Sequence, residues 1–458
     1  MIAPHTRLIF WTAAVVLPFA ALAGAAPQTL VPAVAIILLF AVLVVADALR
    51  AGGGLLGVSI EMPSVVRWQN GRSGTLPLEI RHPAGTARLL RVGIAFPREI
   101  ESEKADYMVR LPDGSEASRF DWSCRPTQRG QFRLHDVHVE ASSPFGFWAA
   151  RATLPAQCEI RVYPDLYSER AQTASLFLRR AGIGIHSLRY AGQGRDFEKL
   201  REFVPGDSLP DIHWKASAKR GKPVTKVFQI ERSQEIYLVI DGSRLSARQV
   251  VLKRPLEKTA TAGAFATVET TALERYVTAA LLLALSAERQ GDQFGLLTFS
   301  DRVLSFVRAR SGQAHFDACR DRLYTLQPEN VSPDFEEVCT FLRLRLRKRA
   351  MIVFLTALDD PVLAENFEKA TALICRQQLV LANMLEPPET GPLFSEKSPV
   401  ASVDDLYRRL GGHYRWNNLR ELQKTLGRKG VRLSFLDPDR ISAELIAQHA
   451  EVRARQLL

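Results

Sequence analysis

The chain has 458 residues, an apolar fraction of 47% and a formal net charge of +11, so it is too long for one typical domain and apolar enough to bury a sizeable core. Its five cysteines are odd in number and widely spaced, with no CxxC pair, which argues against a disulfide framework or a zinc module and for a reducing compartment. The basic excess is compatible with nucleic acid, an anionic membrane or an acidic protein partner, and composition does not choose among them.

Two apolar runs open the chain, at residues 8–26 and 29–49. Each is long enough to cross a hydrocarbon layer of about 30 Å as a helix, so we predict a transmembrane helical hairpin within residues 1–52. A cleavable signal peptide for the first run and a buried helical pair of a soluble protein are the alternatives.

Basic residues flank this hairpin on both sides, and the turn between its helices carries none. By the positive-inside rule, both ends should lie in the cytoplasm. The sequence therefore predicts a multi-pass protein of the cell membrane whose remaining residues face the cytoplasm.

The rest of the chain changes pattern twice. Residues 57–165 contain short alternating runs of β-forming residues between Pro, Gly and Asp turns, which predicts a β-sandwich. From residue 232 to 458, continuous apolar runs alternate with amphipathic helices, which predicts a doubly wound α/β domain with a mainly parallel sheet. Residues 166–231 form the connector between them.

The connector contains the stretch GQGRDFEKLREFVPGDSLPDIHWKASAKRG at residues 192–221. It lacks the third glycine of the dinucleotide fingerprint and precedes the first α/β strand, which argues against nucleotide binding. His213 has no Ser elbow or Cys partner beside it in the sequence, so catalysis is not predicted. Charges that alternate with aromatic residues indicate instead a segment clamped between two domains by ion pairs, with Trp214 buried.

The same stretch resembles the signature of the bacterial family called "domain of unknown function 58", and the likeness extends over essentially the whole chain. The positions that carry it are Gly194, Asp196, Phe197, Leu200, Arg201, Glu202, Phe203, Pro205, Gly206, Asp207, Ile212, Trp214, Lys215, Ala216 and Ala218. The resemblance implies a C-terminal domain like von Willebrand factor type A domains, and work beside MoxR-type AAA+ ATPases.

Type A domains bind a divalent cation through an Asp-x-Ser-x-Ser motif after their first strand, so the resemblance implies a candidate metal site here. The chain reads DGSRLS from Asp241: Asp241 and Ser243 fit, Leu245 cannot coordinate, and Ser246 is displaced by one residue. The further candidate ligands for Mg²⁺ or another divalent cation are Ser332 or Asp334, before the next predicted helix, and Asp359, at the end of a later apolar run. The alternative is that Asp241 and Ser243 only cap the following turn.

These features together predict a membrane-tethered interaction and assembly factor that is not an enzyme. It should bind a protein partner through the type A-like domain and lipid through the N-terminal hairpin. The alternative is a metal-dependent hydrolase or phosphatase with Asp241 as nucleophile, although the acid needed two residues further on is Ser243 here. Specific nucleic-acid binding is not expected, because the basic run RLRLRKR at 343–349 is predicted to be the solvated face of a helix.

Overall fold

The structure is a computed structural model. It describes residues 1–83, 89–112, 117–167, 191–192, 196–204, 209, 212–229, 234–255, 265–393 and 402–455. The chain divides into two compact units, Met1–Asp165 and Leu166–Leu458.

The first unit contains two apolar helices, α1 (Thr6–Ala25) and α2 (Leu30–Ala51). Both are long and apolar enough to cross a membrane. Helix α1 buries none of its residues, and α2 buries only Ala33, Asp47 and Ala51. This exposure contradicts the alternative of a buried helical pair, because a core helix would cover its apolar side chains with protein.

The same unit contains a sandwich of two sheets, with the orders β1-β10-β9-β5-β7, where β3 also pairs with β10, and β2-β4-β8-β6. Alternate residues of both sheets, such as Leu76 and Leu90, face inward and share one core, as the alternating sequence pattern requires. The strands are β1 (Ile2–Pro4), β2 (Ser59–Glu61), β3 (Val65–Gln69), β4 (Gly74–Arg81), β5 (Leu89–Ile94), β6 (Ile100–Ser102), β7 (Asp106–Arg110), β8 (Ala117–Pro126), β9 (Gly130–Ser142) and β10 (Trp148–Tyr163).

Strand β1 precedes the apolar helices and still pairs with β10, in antiparallel register from Ile2 opposite Ala150 to Pro4 opposite Trp148. The sequence did not predict this strand, because three residues carry no readable period. As a result, the segments before α1 and after α2 both belong to one sandwich.

A buried carboxylate joins α2 to this sandwich. Asp47, near the end of the helix, accepts hydrogen bonds from Ser143 Oγ at 2.5 Å, Phe145 N at 3.1 Å and Phe147 N at 3.2 Å. These donors lie in the turn between β9 and β10, where the chain reads SPFGFW. The indole Nε1 of Trp148 adds a bond of 3.0 Å to the carbonyl of Val44. The only charge in the second apolar run therefore has a structural role that the sequence did not reveal.

Replacing Asp47 by Ala should destabilise the first unit. The change leaves the buried Ser143 hydroxyl and the amides of Phe145 and Phe147 without their acceptor, and we expect a loss of about 3 kcal/mol or more in the free energy of unfolding. Denaturant unfolding of the full chain in detergent measures this loss. The exposed Asp136 provides the control, since Asp136→Ala should change little, and equal stability of the two variants would contradict the role of Asp47.

The second unit begins with the described part of the connector. Strands β11 (Ala191–Gly192), β12 (Asp196–Glu202) and β13 (Val224–Gln229) form a small sheet in the order β11-β13-β12, and a short helix α3 (Trp214–Arg220) lies between β12 and β13 in the chain. The side chain of His213 caps α3 by accepting from Ala216 N at 3.1 Å. His213 thus has a local structural role.

Trp214 is 70% exposed, so its predicted burial is wrong. Ile212 and Val224, which flank α3 in the chain, are buried, whereas the first residue of the helix is exposed. The clamp hypothesis required this ring to be covered, and on this point the structure contradicts it.

The main sheet of the second unit has the order β18-β17-β14-β19-β20-β21, and all its strands are parallel except β18. In chain order this is 3-2-1-4-5-6, the classic order of doubly wound sheets. A separate hairpin, β15-β16, follows β14. The strands are β14 (Glu235–Asp241), β15 (Gln249–Pro255), β16 (Phe265–Thr271), β17 (Gln293–Phe299), β18 (Val303–Arg310), β19 (Met351–Leu355), β20 (Leu379–Leu385) and β21 (Val431–Leu436).

Helices cover both faces of this sheet, which is why its strands are apolar throughout. Ile236, Leu238 and Ile240 of β14 join the core on one face, whereas Tyr237 and Val239 join the core on the other. The first face packs against α4 (Ala272–Arg289), α5 (Gln313–Leu323) and α9 (Ile441–Ala454), and the second against α6 (Phe335–Arg345), α7 (Pro361–Thr371) and α8 (Val403–Arg428).

Candidate functional site

The winding of the main sheet reverses between β14 and β19, and in such sheets ligands bind in the crevice outside the carboxyl ends of these strands. Asp241 is the last residue of β14, and Thr356 follows directly after β19. The Asp241 carboxylate is fully buried. It accepts from Ser243 N at 2.8 Å on one oxygen and from Thr356 Oγ1 at 2.5 Å on the other.

Ser243 is also fully buried and caps the 3₁₀ turn Arg244–Ala247. Its Oγ accepts from Leu245 N at 3.3 Å, and its carbonyl accepts from Ser246 Oγ at 2.8 Å. The displaced serine therefore bonds to the turn itself. This is the capping arrangement that the sequence left open as the alternative to a metal site.

Asp359 follows β19 and forms an ion pair with Arg248, whose Nη2 lies 2.6 Å from Asp359 Oδ2. The Arg248 side chain is 37% exposed and that of Asp359 is 18% exposed. The motif did not point to Arg248 as a residue of the site, because this arginine lies seven residues after Asp241 and outside the motif. It places a permanent positive charge beside one of the candidate metal ligands.

Burial dominates the electrostatics of Asp241. It raises the pKa of this carboxyl above its ordinary value, and the hydrogen bonds from Thr356 and Ser243 partly offset that rise. Tyr276, whose hydroxyl lies 3.4 Å from the Thr356 carbonyl, has its pKa raised by burial and by the charges of Asp241 and Asp359. The centre of the site is thus shielded from bulk solvent.

The candidate metal ligands already have partners within the chain. Both oxygens of Asp241 and the hydroxyl of Ser243 already accept hydrogen bonds from the chain, and Arg248 neutralises Asp359. A hard cation needs free oxygen lone pairs from several ligands at once. Across the described segments of the chain, no three His, Cys, Asp or Glu side chains converge as a metal would require. The metal site stays a prediction, and a cation bound to Asp359 would compete with Arg248 for the carboxylate.

Two further candidate oxygens on the neighbouring loop also have local roles. Ser332 Oγ lies 3.3 Å from Arg244 Nε, and Asp334 caps α6 by accepting from Glu336 N and Glu337 N, each at 3.0 Å. The loop itself is fixed by a bond of 3.0 Å from Arg244 N to the Val331 carbonyl.

A cleft of about 760 Å³ opens beside this centre at the carboxyl edge of the sheet. Its walls come from the segments that follow β14, β19, β20 and β21, together with hairpin β15-β16 and the start of α8. Arg248 forms part of the wall, so its guanidinium links the buried centre to the cleft.

The loop after β20 is held in place as one wall of the cleft by a close approach to α8. A Cβ at Gly412 would lie 2.0 Å from the carbonyl oxygen of Glu389, so no other residue fits there without a shift of the loop. Charges at the rim are mixed: Arg408 lies 3.4 Å from Asp405 and 3.9 Å from Glu389. The cleft therefore offers apolar surface with a partly neutralised rim.

The structure reaches only part of the connector signature. Gly194, Pro205, Gly206 and Asp207 lie outside the described residues, as do the side chains of Asp196 and Phe197. Among the rest, Leu200 is half-buried, and Arg201, Glu202, Trp214 and Lys215 are exposed. Glu202 forms an ion pair with Lys222 at 3.7 Å in which both side chains are solvent-exposed, and such pairs contribute little stability.

Sequence comparison relates the chain to a family without an assigned activity. The family model "Protein of unknown function DUF58" matches residues 199–391. This range includes most of the connector signature and the main sheet up to the loop after β20, which lines the cleft. The chain is also 26% identical over 140 residues to "Uncharacterized protein YeaD" of Bacillus subtilis (strain 168), a match that covers 28% of this chain and 35% of that protein. The matched region thus spans about a third of that relative.

Comparison with solved structures gives only distant likenesses. Proximal thread matrix protein 1 from the mussel byssus has a TM-score of 0.26 and 12% identity over 48% of this chain and 46% of its own. An uncharacterized membrane spanning protein from Vibrio fischeri has a TM-score of 0.17 and 15% identity over 49% of this chain and 98% of its own. Likenesses at this level assign neither fold nor function.

Two substitutions at Asp241 separate a structural carboxylate from a metal ligand. Asp241→Ala leaves the buried Ser243 amide and Thr356 hydroxyl without an acceptor and should cost about 2–4 kcal/mol of unfolding free energy. Asp241→Asn keeps an oxygen for Ser243 N and offers its amide to Thr356 Oγ1, so it should cost about 1 kcal/mol or less. Denaturant unfolding in Mg²⁺ and in chelator measures both.

The exposed Asp301 supplies the control, since Asp301→Ala should behave as the wild type in either buffer. We expect no effect of Mg²⁺ on any of these proteins. Stabilisation of the wild type by Mg²⁺ that disappears in Asp241→Asn would show that the carboxylate is a metal ligand after all.

Proposed function

We propose that the chain is a membrane-tethered interaction factor that binds a protein partner at the carboxyl edge of its α/β domain. The observation that carries the proposal is the cleft beside Asp241, at the point where the sheet reverses its winding. There the partly exposed guanidinium of Arg248 lies next to a buried centre in which the Asp241 carboxylate is hydrogen-bonded to the chain. The lining of the cleft combines apolar side chains with acidic and basic ones, and such a concave surface suits binding.

The tether is the N-terminal pair of helices. Their apolar and exposed side chains support insertion into a bilayer. Pairing of β1 with β10 supports a hairpin with both ends on one side of the membrane, because β1 precedes α1 and the rest of the sandwich follows α2. The flanking arginines favour the cytoplasm as that side.

The α/β domain acts as a type A-like module in this proposal. Support comes from the strand order 3-2-1-4-5-6 and from the position of Asp241 at the end of the first strand. In place of a cation that a partner's carboxylate would complete, this chain presents Arg248. Its guanidinium has five N–H donors in a planar fork, and Asp359 occupies only part of that fork.

The partner is accordingly a protein segment that carries an acidic side chain for Arg248 and apolar residues for the cleft. The resemblance to the "domain of unknown function 58" family makes a MoxR-type AAA+ ATPase the candidate. Such a pairing would place the chain in the assembly or activation of other complexes.

Phosphoryl transfer or hydrolysis from Asp241 is the weaker alternative. Its carboxylate has no exposed surface, and both of its oxygens accept hydrogen bonds from the chain, so a substrate phosphorus has no path to it. Turnover of phosphate esters with Mg²⁺ that Asp241→Ala abolishes would favour the alternative.

Affinity purification of the full chain from native membranes tests the binding proposal. Arg248→Glu turns the charge at the cleft from attractive to repulsive for an acidic partner, and we expect recovery of the MoxR-type ATPase to fall at least about tenfold. Addition of a metal chelator should leave the recovery of the ATPase by the wild-type chain unchanged. Quantitative mass spectrometry of the purified complexes gives the readout.

Arg432→Glu is the matched control. Arg432, on strand β21, also pairs with a carboxylate, that of Glu451 at 3.0 Å, and it does not line the cleft. It should retain the ATPase. Equal recovery by Arg248→Glu and the wild type would refute the proposed contact, and dependence of wild-type binding on Mg²⁺ would restore the cation model.

A further inference from the structure

The amino edge of the main sheet, opposite the cleft, carries a concentration of positive charge. The register places Phe294, Ile236, Met351 and Leu379 side by side across β17, β14, β19 and β20, so the residues just before these positions share one edge. Neighbouring strands are about 4.8 Å apart. We name the exposed residues Arg310, Arg347, Lys348, Arg349 and Arg376 along this line the basic edge.

Most of this charge lies outside any helix. The sequence predicted that the run RLRLRKR would continue a helix to residue 349, but α6 ends at Arg345 and Leu346 is already extended. Basic residues in the last turn of a helix complement its dipole. Interaction with the dipole can therefore account for Arg343 and Arg345. It cannot account for Arg347, Lys348 or Arg349, because these residues follow the helix.

Few acidic groups oppose the basic edge. Glu235 approaches Lys348 to only 4.0 Å. Asp292 is fully buried and bonds to His449 at 2.9 Å and Arg453 at 3.1 Å. In the part of the chain that the structure describes, no ion pair is recorded for Arg347 or Arg349. Their charges are therefore available to an external anion.

Register also extends the positive charge along the sheet. Arg310 of β18 lies opposite Phe294, at the start of β17. Arg376 precedes Gln378, whose Nε2 donates to the Lys348 carbonyl at 3.2 Å and whose Oε1 accepts from Ala350 N at 2.6 Å. These bonds hold the two helix-to-strand connections beside each other, so the basic edge is wide and continuous.

An apolar side chain stands beside this charge. Leu344, in the last turn of α6, is 73% exposed between Arg343 and Arg345. A surface that combines basic residues with an exposed leucine is typical of segments that rest on anionic lipid, where the apolar group enters the headgroup region. Single-stranded nucleic acid would favour open aromatic rings, whereas the Phe341 ring of α6 lies under Arg345 at 5.4 Å and against Phe306.

We propose that the basic edge binds the anionic headgroups of a phospholipid membrane. The same chain carries two helices that are able to cross a bilayer, which would keep the α/β domain close to a membrane surface. Each Lys or Arg near an anionic surface adds to the attraction. Contact through the amino edge would turn the carboxyl edge and its cleft away from the membrane and toward a soluble partner.

Hydrogen exchange of the full chain in nanodiscs tests this proposal. One set of discs contains phosphatidylcholine alone, and the other contains added phosphatidylglycerol. We expect amides of residues 343–350 to exchange at least about threefold more slowly in the anionic discs and to return to the neutral-disc rate in high salt.

Charge variants identify the surface. R347E/K348E/R349E should abolish the lipid-dependent protection, and the neutral R347Q/K348Q/R349Q should weaken it. K219E/R220E/K222E, which reverses the same number of exposed charges on and after α3, should retain it. Unchanged exchange in β14 and β19 verifies that the variants are folded.

Equal exchange in neutral and anionic discs would overturn the proposal, as would protection that survives in R347E/K348E/R349E. A third arm adds short duplex DNA to the neutral discs. Protection of residues 343–350 by DNA without protection by phosphatidylglycerol would assign the surface to nucleic acid and reject the membrane.

Discussion

The hydrogen bond from Thr356 Oγ1 to the buried Asp241 carboxylate joins the ends of the two strands between which the sheet reverses its winding. Because Asp241 also accepts from Ser243 N, the turn after β14 takes its path from the same carboxylate. That turn leads to Arg248, whose ion pair with Asp359 closes the arrangement. The cleft thus depends on a charge that the chain itself has bonded and enclosed.

Long patterns in the sequence predicted the apolar helices, the β-rich segment and the apolar strands of the main sheet, because each extends over many residues. Helix α8 was missed because it is polar along most of its length and buries only Gly412, Leu419 and Leu426. At the site, the sequence placed Asp241, Ser243 and Asp359 near one edge, but Arg248 comes to Asp359 from 111 residues away. Trp214 was predicted to be buried in a segment clamped between two domains, because charges alternate with aromatic residues there, and only tertiary structure shows it exposed.

The two edges of the main sheet in the α/β domain carry different sets of charged residues. Its carboxyl edge carries Asp241, Asp359 and the cleft, whereas its amino edge carries the arginines and lysine that follow α6 and α7. Helix dipoles favour anions at helix N-termini and cations in the last turn of a helix, so they do not account for the basic residues that follow α6 and α7. The two proposals use the two edges separately, one for a protein partner and the other for a lipid surface.

We propose that Arg248 supplies the positive charge at the point where the sheet reverses its winding, in the place of a metal ion. Crystals of the full chain soaked in Mn²⁺ test it most directly through anomalous difference density. We expect no peak among Asp241, Ser243 and Asp359, and an intact contact between Arg248 and Asp359. A manganese peak that is coordinated by Asp241 and Asp359, with Arg248 displaced, would contradict the claim.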